Sequence, residues 1–294
     1  MKDFKGRVAV ITGAGSGFGR EFARLAAARG MRLVLADIAA GPLEETAAPL
    51  RAAGVSLITQ VCDVARSHSV KELADRSHAE FGGVHLLFNN AGVASGGYVW
   101  ETSDRDWAWV MGVNLMGVVH GLQHFVPRMI EAAARGEPGH VVNTASMAGW
   151  LNAPLMGVYN VSKHAVVALT ESLYQDLSAA NSSLGVSLLC PAFVPTGIAH
   201  SHRHRPAELA NEGAVTASQR MAQAASEKAV SSGRLSAAEV AEQTYAAVES
   251  GRFYVFTHPK ILPSVQARFE AALAGAVPAD PFATKPELRP GGTV

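Results

Sequence analysis

At 294 residues, 48% hydrophobic and 17% charged, the chain is long enough for one large α/β domain or two small ones with a sizeable core, and a single domain is expected. Lys plus Arg and Asp plus Glu balance at 25 each, so no net field draws the chain to nucleic acid or to an anionic membrane, and the expected partner is a small molecule. Only Cys62 and Cys190 are present, each in an apolar run and without the spacing of a metal site or disulfide framework, which fits a reducing compartment. The start, MKDFKGRVAVITG, passes from charged residues directly into an apolar run, so neither a signal sequence nor a bilayer-spanning stretch is read and a cytoplasmic location is expected.

Seven strand-like runs follow in chain order: RVAVITG, RLVLADI, VSLITQVCDV, VHLLFNNAG, HVVNTAS, GVSLLCPA and RFYVFTH. Between them lie segments of helical spacing near 17–29, 42–53, 67–81, 104–134, 156–180 and 236–250. The alternation predicts a parallel sheet. Its strands, nearly continuous in Val, Ile and Leu, predict helices on both faces, a doubly wound three-layer α/β/α domain over 1–257. Residues 194–235 break the rhythm as a polar, Ala-rich stretch, read as a lid over a substrate. From 258 onward a helix, SVQARFEAALAG, precedes a Pro-rich tail whose last fifteen or so residues are expected to be mobile.

The first strand runs into TGAGSGFG, where Gly13, Ser16, Gly17, Phe18 and Gly19 open a helix in the manner of a turn that presents backbone amides to a dinucleotide pyrophosphate. Asp37, eighteen residues past Gly19 at the end of the second strand, suits the adenosine ribose hydroxyls and repels a 2′-phosphate. No Lys or Arg lies inside the glycine turn, and Ile38, Ala39 and Ala40 offer no cation, so NAD is favoured over NADP. Asp63 and Val64 close the third strand where adenine would be read, and Asn90, Ala91 and Gly92 close the fourth beside the expected cofactor.

Tyr159 and Lys163 stand four apart in YNVSK, on one helix face, thirteen and seventeen residues after Ser146. A phenol with a pKa of about 10 is protonated near neutrality, but a neighbouring cation favours the phenolate and makes a usable base. Lys163 is expected to be that cation, reinforced by an oxidised nicotinamide ring. The Ser146 hydroxyl then hydrogen-bonds the same substrate oxygen. A lone YxxxK is usually a helix with a solvated lysine, and a lone glycine turn is usually only a turn; their conjunction carries the reading.

With TGAGSGFG, NNAG, Asn114 in GVNLMG, Ser146, Tyr159 and Lys163 assembled, the chain resembles the short-chain dehydrogenase/reductase family over about residues 5–257. That resemblance implies a Rossmann-type fold and gives Tyr159 the role of general acid/base, Ser146 the orientation of the substrate oxygen, and Lys163 the nicotinamide ribose. It further implies that Asn114 positions a relay water, that Pro191, Val194 and Thr196 contact the nicotinamide end with Thr196 bonding the carboxamide, and that the chain forms a homodimer or homotetramer through helices 104–134 and 156–180. Phe18, Ala145 and Ala192 depart from the family's commoner Ile, Ser and Gly without removing a reacting group.

Met147, Trp150, Leu151, Met156, Phe193 and Ile198 are expected to line the substrate space, suiting a bulky hydrophobic or aromatic molecule. His200, His202 and His204 lack the accompanying carboxylates or cysteines of a metal site and are read as a polar lid edge, with Arg203 and Arg205 available to an acidic substrate group. The leading expectation is an NAD(H)-dependent oxidoreductase interconverting a secondary alcohol and a ketone. The alternative is a non-catalytic nucleotide-sensing or scaffolding protein on the same fold.

Overall fold

The first apolar run becomes β1 (Val8–Thr12), buried at all five positions, in a computed structural model that describes residues 1–283. Its side chains alternate between two cores: Ala9 and Ile11 face one side of the sheet, and Val8 and Val10 the other. The other runs form β2 (Arg32–Asp37), β3 (Leu57–Val61), β4 (Leu86–Asn89), β5 (His140–Thr144), β6 (Gly185–Cys190) and β7 (Tyr254–Phe256). They pair in parallel in the order β3-β2-β1-β4-β5-β6-β7, so the expected parallel, doubly wound α/β sheet is observed. The chain changes direction between β1 and β4, and at such a switch point the loops leaving the strand ends diverge and open a crevice.

Helices α1 (Gly17–Ala28), α2 (Ala40–Ala52), α3 (Ser67–Phe81), α4 (Asp104–Met111), α5 (Gly117–Ala134) and α6 (Gly157–Ala179) fall where the apolar spacing places them. The segment expected as one helix at 104–134 is interrupted by a π-helical turn, Gly112–Met116. Gly117 ends that turn against Val64, whose Cγ2 would lie 2.8 Å from any Cβ there. On one sheet face Phe22 stacks on Phe88 at 4.4 Å, and the buried Tyr245 hydroxyl donates to Phe22 O at 3.0 Å. On the other, Phe125 and Met129 of α5 pack with Leu73 of α3 beneath Leu87 and Val141. Each such side chain, fully removed from water, contributes about 1.5–3 kcal/mol.

The 194–235 stretch holds more regular structure than its composition suggested. Two 3-10 segments, Gly197–His204 and Ala207–Leu209, lead into α7 (Ala217–Ser231), which starts at a capping box between Thr216 and Gln219. Polar contacts add to the apolar seats of Val194 and Leu209: Arg205 Nη1 meets Asp106 Oδ1 at 2.6 Å, Arg105 Nη2 meets Glu212 Oε1 at 2.7 Å, and Ser218 Oγ donates to Glu101 Oε2 at 2.6 Å. α8 (Ala237–Ser250) then returns the chain to β7. The expected C-terminal helix is α9 (Leu262–Leu273), which buries Val265 against the core at Leu188 and Cys190. The expectation of a mobile end falls largely on residues 284–294, outside the described residues. No described helix is long and apolar enough to cross a membrane.

Candidate active site

The nucleotide end is built on a turn whose glycine positions leave little room for side chains. Gly13 (φ +66°) and Gly17 (φ +50°) adopt left-handed conformations, and a Cβ on Gly13 would lie 2.9 Å from Ala91 Cα. Gly19 packs the start of α1 onto Gly13 O so closely that only hydrogen fits. Ser16 is the N-cap residue of α1 but makes no capping bond, and the first turn carries no acid, so the helix offers its amides and positive dipole end to an anion. Asp37 Oδ2 accepts from Gly15 N at 2.9 Å and Oδ1 from Ala39 N at 3.0 Å, so the carboxylate organises the glycine turn as well as facing the cleft.

A cleft of about 470 Å³ opens there. It is lined by Gly13, Ser16, Gly17, Phe18, Asp37, Asp63, Val64, Asn90, Ala91, Gly92, Pro191, Val194 and Thr196, together with Ser146, Tyr159 and Lys163. Gly19 stands behind this surface rather than on it. The uncapped helix start, the glycine-rich turn and the acid at the end of β2 fit a dinucleotide. Asp63 is already engaged, accepting from Ala65 N at 3.0 Å and from Arg66 Nε at 3.1 Å. Asn90 Nδ2 donates to Thr12 O at 3.0 Å and so holds the end of β4 against β1.

The catalytic candidates converge at the inner end of the cleft. Ser146 caps a 3-10 turn, its Oγ accepting from Ala148 N at 3.1 Å and donating to Pro191 O at 3.3 Å. Lys163 is buried, donates from Nζ to Thr144 O at 2.9 Å, and lies 5.7 Å from the Tyr159 ring centroid. Burial lowers the Lys163 ammonium to about 8. The expectation that Lys163 depresses the tyrosine is corrected for the chain by itself: burial raises the Tyr159 pKa, and the Ser146 hydroxyl pulls it back only in part. Losing hydration penalises the phenolate, and the Lys163 ammonium is turned toward the Thr144 carbonyl.

Asn114, expected to position a relay water, stands beside the cleft with its side chain engaged in the protein. Its side chain is fully buried, accepting at Oδ1 from Val93 N at 2.8 Å and donating from Nδ2 to Val93 O at 2.9 Å and Ser162 Oγ at 3.0 Å. It does not line the cleft; it locks the loop after β4 to the π turn and to α6.

A second, apolar cavity of about 130 Å³ shares Ser146 and Tyr159 with the cleft. Met147, Leu151, Met156, Phe193 and Ile198 line it as expected. Trp150 does not: its ring packs edge-on against Tyr254, Phe256 and Phe269, and its Nε1 donates to Cys190 Sγ at 3.3 Å. The walls missed in the sequence come from afar, Ser226 and Val230 of α7, Ile261 and Ser264 at the start of α9, and Pro281 with Phe282 beyond it. Only the amphipathic pattern of α9 hinted at this. His200, His202 and His204 join no metal-holding cluster among the described residues. Arg205 is committed to Asp106 and cannot serve a substrate, whereas Arg203 borders the cofactor cleft.

Residues 7–207 match the family model described as short chain dehydrogenase. The chain is 34% identical to a CLA biosynthesis dehydrogenase/reductase of Lactiplantibacillus plantarum, covering 95% of this chain and 97% of that one. It is also 34% identical to a C alpha-dehydrogenase of Sphingobium sp., covering 95% and 89%. A short-chain dehydrogenase/reductase from Burkholderia phymatum, solved in complex with NAD, superposes with a TM-score of 0.93 at 53% identity, covering 96% of this chain and 100% of that one. Fold, cleft and relatives agree: the chain belongs to the short-chain dehydrogenase/reductase family of oxidoreductases.

Proposed function

We propose that the protein is an NAD(H)-dependent dehydrogenase that interconverts a secondary alcohol and a ketone on a bulky hydrophobic or aromatic molecule. The observation that carries this reading is that Ser146 and Tyr159 form the common wall of a dinucleotide-fitting cleft and an apolar cavity, so one substrate oxygen can meet both hydroxyls. Bound NAD would supply the acceptor for the hydride leaving the carbinol carbon. Tyr159 takes the proton from the alcohol hydroxyl, and Ser146 hydrogen-bonds the same oxygen as it becomes a carbonyl. In the reverse direction Tyr159 returns the proton.

Lys163 holds a positive charge beneath Tyr159 and is placed to hydrogen-bond the nicotinamide ribose; with the charge of an oxidised ring added, the phenol moves toward its working range. Asp37 binds the adenosine ribose hydroxyls and disfavours NADP. Val64 and Asp63 border the adenine, while Pro191, Val194 and Thr196 meet the nicotinamide, with Thr196 bonding its carboxamide. Asn114 is a positioning residue that keeps Val93, and hence the loop behind Gly92, in place. Residues 194–235 act as the lid, and the small apolar cavity beneath them, opening onto the cleft, receives the apolar part of the substrate away from water.

Val161 on α6 and Met116 in the π turn are exposed apolar side chains, 46% and 39% accessible, which supports a homodimer or homotetramer formed through these helices in the cytoplasm. A panel of aryl, steroid and aliphatic secondary alcohols with NAD and NADP in parallel, followed by nicotinamide absorbance, tests the reading. Reduction of NAD by a bulky alcohol is expected. A chain that binds NADH but reduces no cofactor with any alcohol would be the nucleotide-sensing protein instead.

A further inference from the structure

We propose that Arg203 is a pyrophosphate clamp carried by the lid, an inference that rests on the dinucleotide reading of the cleft. Arg203 lies on the 3-10 segment Gly197–His204 and borders the cleft. Its Nη2 stands 3.0 Å from the point where a Cβ on Gly197 would be, and Ser16 Oγ stands 3.9 Å from that same point. A guanidinium and a free hydroxyl thus converge over the uncapped first turn of α1. Gly197 leaves room for this approach, a Cβ there standing close to the tip of the guanidinium. On the other flank Gly17 meets Thr196, whose Cβ and Cγ2 would both lie 3.3 Å from a Cβ at Gly17, so the lid's first residues are already seated on the glycine turn.

The neighbouring arginines are committed elsewhere. Arg205 pairs with Asp106, Arg66 with Asp63 and Glu208, and Arg20 with Glu45. Arg203 makes no ion pair among the described residues; its one side-chain hydrogen bond joins Nε to the His204 ring at 3.1 Å. A guanidinium whose Nη atoms are left for charge-assisted bonds, beside helix amides that bear partial positive charge, is chemistry for a doubly charged, oxygen-rich anion. Its position selects the pyrophosphate over a 2′-phosphate, because Arg203 sits on the Gly17–Thr196 side of the turn while Asp37 faces Gly15 on the other. The lid is therefore drawn onto the cofactor by charge as well as by contact.

The test compares NADH, ADP-ribose and adenosine binding to the full chain, with NADH fluorescence read directly and the other two by displacement. Arg203→Ala is expected to raise the Kd of NADH and of ADP-ribose about tenfold while leaving adenosine within twofold, since only the first two carry the pyrophosphate. Arg203→Lys should restore part of the loss, and added salt should narrow the gap between wild type and variant. An unchanged NADH Kd in Arg203→Ala would overturn the clamp. So would an equal loss for adenosine, which would make Arg203 a packing residue of the lid. Failure of the unaltered chain to bind any of the three would instead remove the dinucleotide reading, and the clamp with it.

Discussion

Arg205→Ala is the substitution whose effect the structure sets most firmly. The guanidinium joins the 194–235 segment to α4: Nη1 meets Asp106 Oδ1 at 2.6 Å, Nε donates to Leu209 O at 2.6 Å, and the group lies 5.1 Å from the Trp109 ring centroid. The side chains are 14% and 1% accessible, so the pair is shielded from water and salt. Removing one member of such a pair costs about 3–5 kcal/mol, because the remaining charge stays buried. Asp106 keeps its bonds from Ser95, Ser103 and Asn211, which moves the expectation to the lower end, about 3 kcal/mol. Urea unfolding, which leaves electrostatics unscreened, reads this directly.

The same pair predicts a pH signature. Burial works to raise the Asp106 pKa, but Arg205, Ser103 and Asn211 outweigh it, and the folded-state value lies below the ordinary 3.8. A depressed carboxylate stabilises the fold above its unfolded value and loses that contribution as pH falls through the folded one. Without Arg205 the carboxylate is left with burial and weaker partners, so the penalty should be full at pH 7 and shrink as acid protonates Asp106. In an Asp106→Asn background, Arg205→Ala should cost less by about 2 kcal/mol, the coupling of a buried pair. A cost under about 1 kcal/mol at pH 7, or the same cost with Asn at 106, would refute the anchoring argument.

Tyr159→Phe should lower turnover by about 10²–10⁴ with NADH Kd unchanged, as stopped-flow and fluorescence titration would show; activity near wild type would remove the tyrosine from proton transfer. Because burial raises Tyr159, alcohol oxidation should climb with pH as the phenol ionises; loss of the Lys163 charge above about 8 works against that climb, and Lys163→Met should shift it upward or abolish it. Asp37→Ala should weaken NAD about tenfold and lessen discrimination against NADP, losing the ribose acceptor and the bond from Gly15 N together; a parent enzyme that already prefers NADP in titration calorimetry would contradict this. Phe282→Ala opens the far wall of the apolar cavity, so kcat/KM should rise for the bulkiest alcohols of the panel relative to the smallest, and an unchanged ranking would place the tail outside substrate selection.

Which of these features the sequence discloses follows from how far apart their parts lie in the chain. Strand ends announce themselves locally: runs of five or six residues stop at Thr12, Asp37 and Thr144, and the register of the parallel pairs brings those ends to one side of the sheet, so that Gly13 and Ser146, two strands apart, line the same cleft without any further signal. The 194–235 segment has no such local signal. Its anchor is an ion pair between residues 99 positions apart, and neither Asp106 nor Arg205 differs in sequence from a solvated charge. Trp150 misleads for a related reason, since an aromatic beside Ser146 suits a pocket wall as well as it suits the cluster of Tyr254, Phe256 and Phe269 that claims it. Tyr159 shows the limit most sharply. Residue spacing reveals which cation lies near a phenol but not how much water either has lost, and that loss reverses the direction of the shift in the chain alone. If Tyr159 is the base proposed above, it needs further positive charge in the cleft to become effective, which would tie its proton chemistry to cofactor binding rather than to the YxxxK pair by itself.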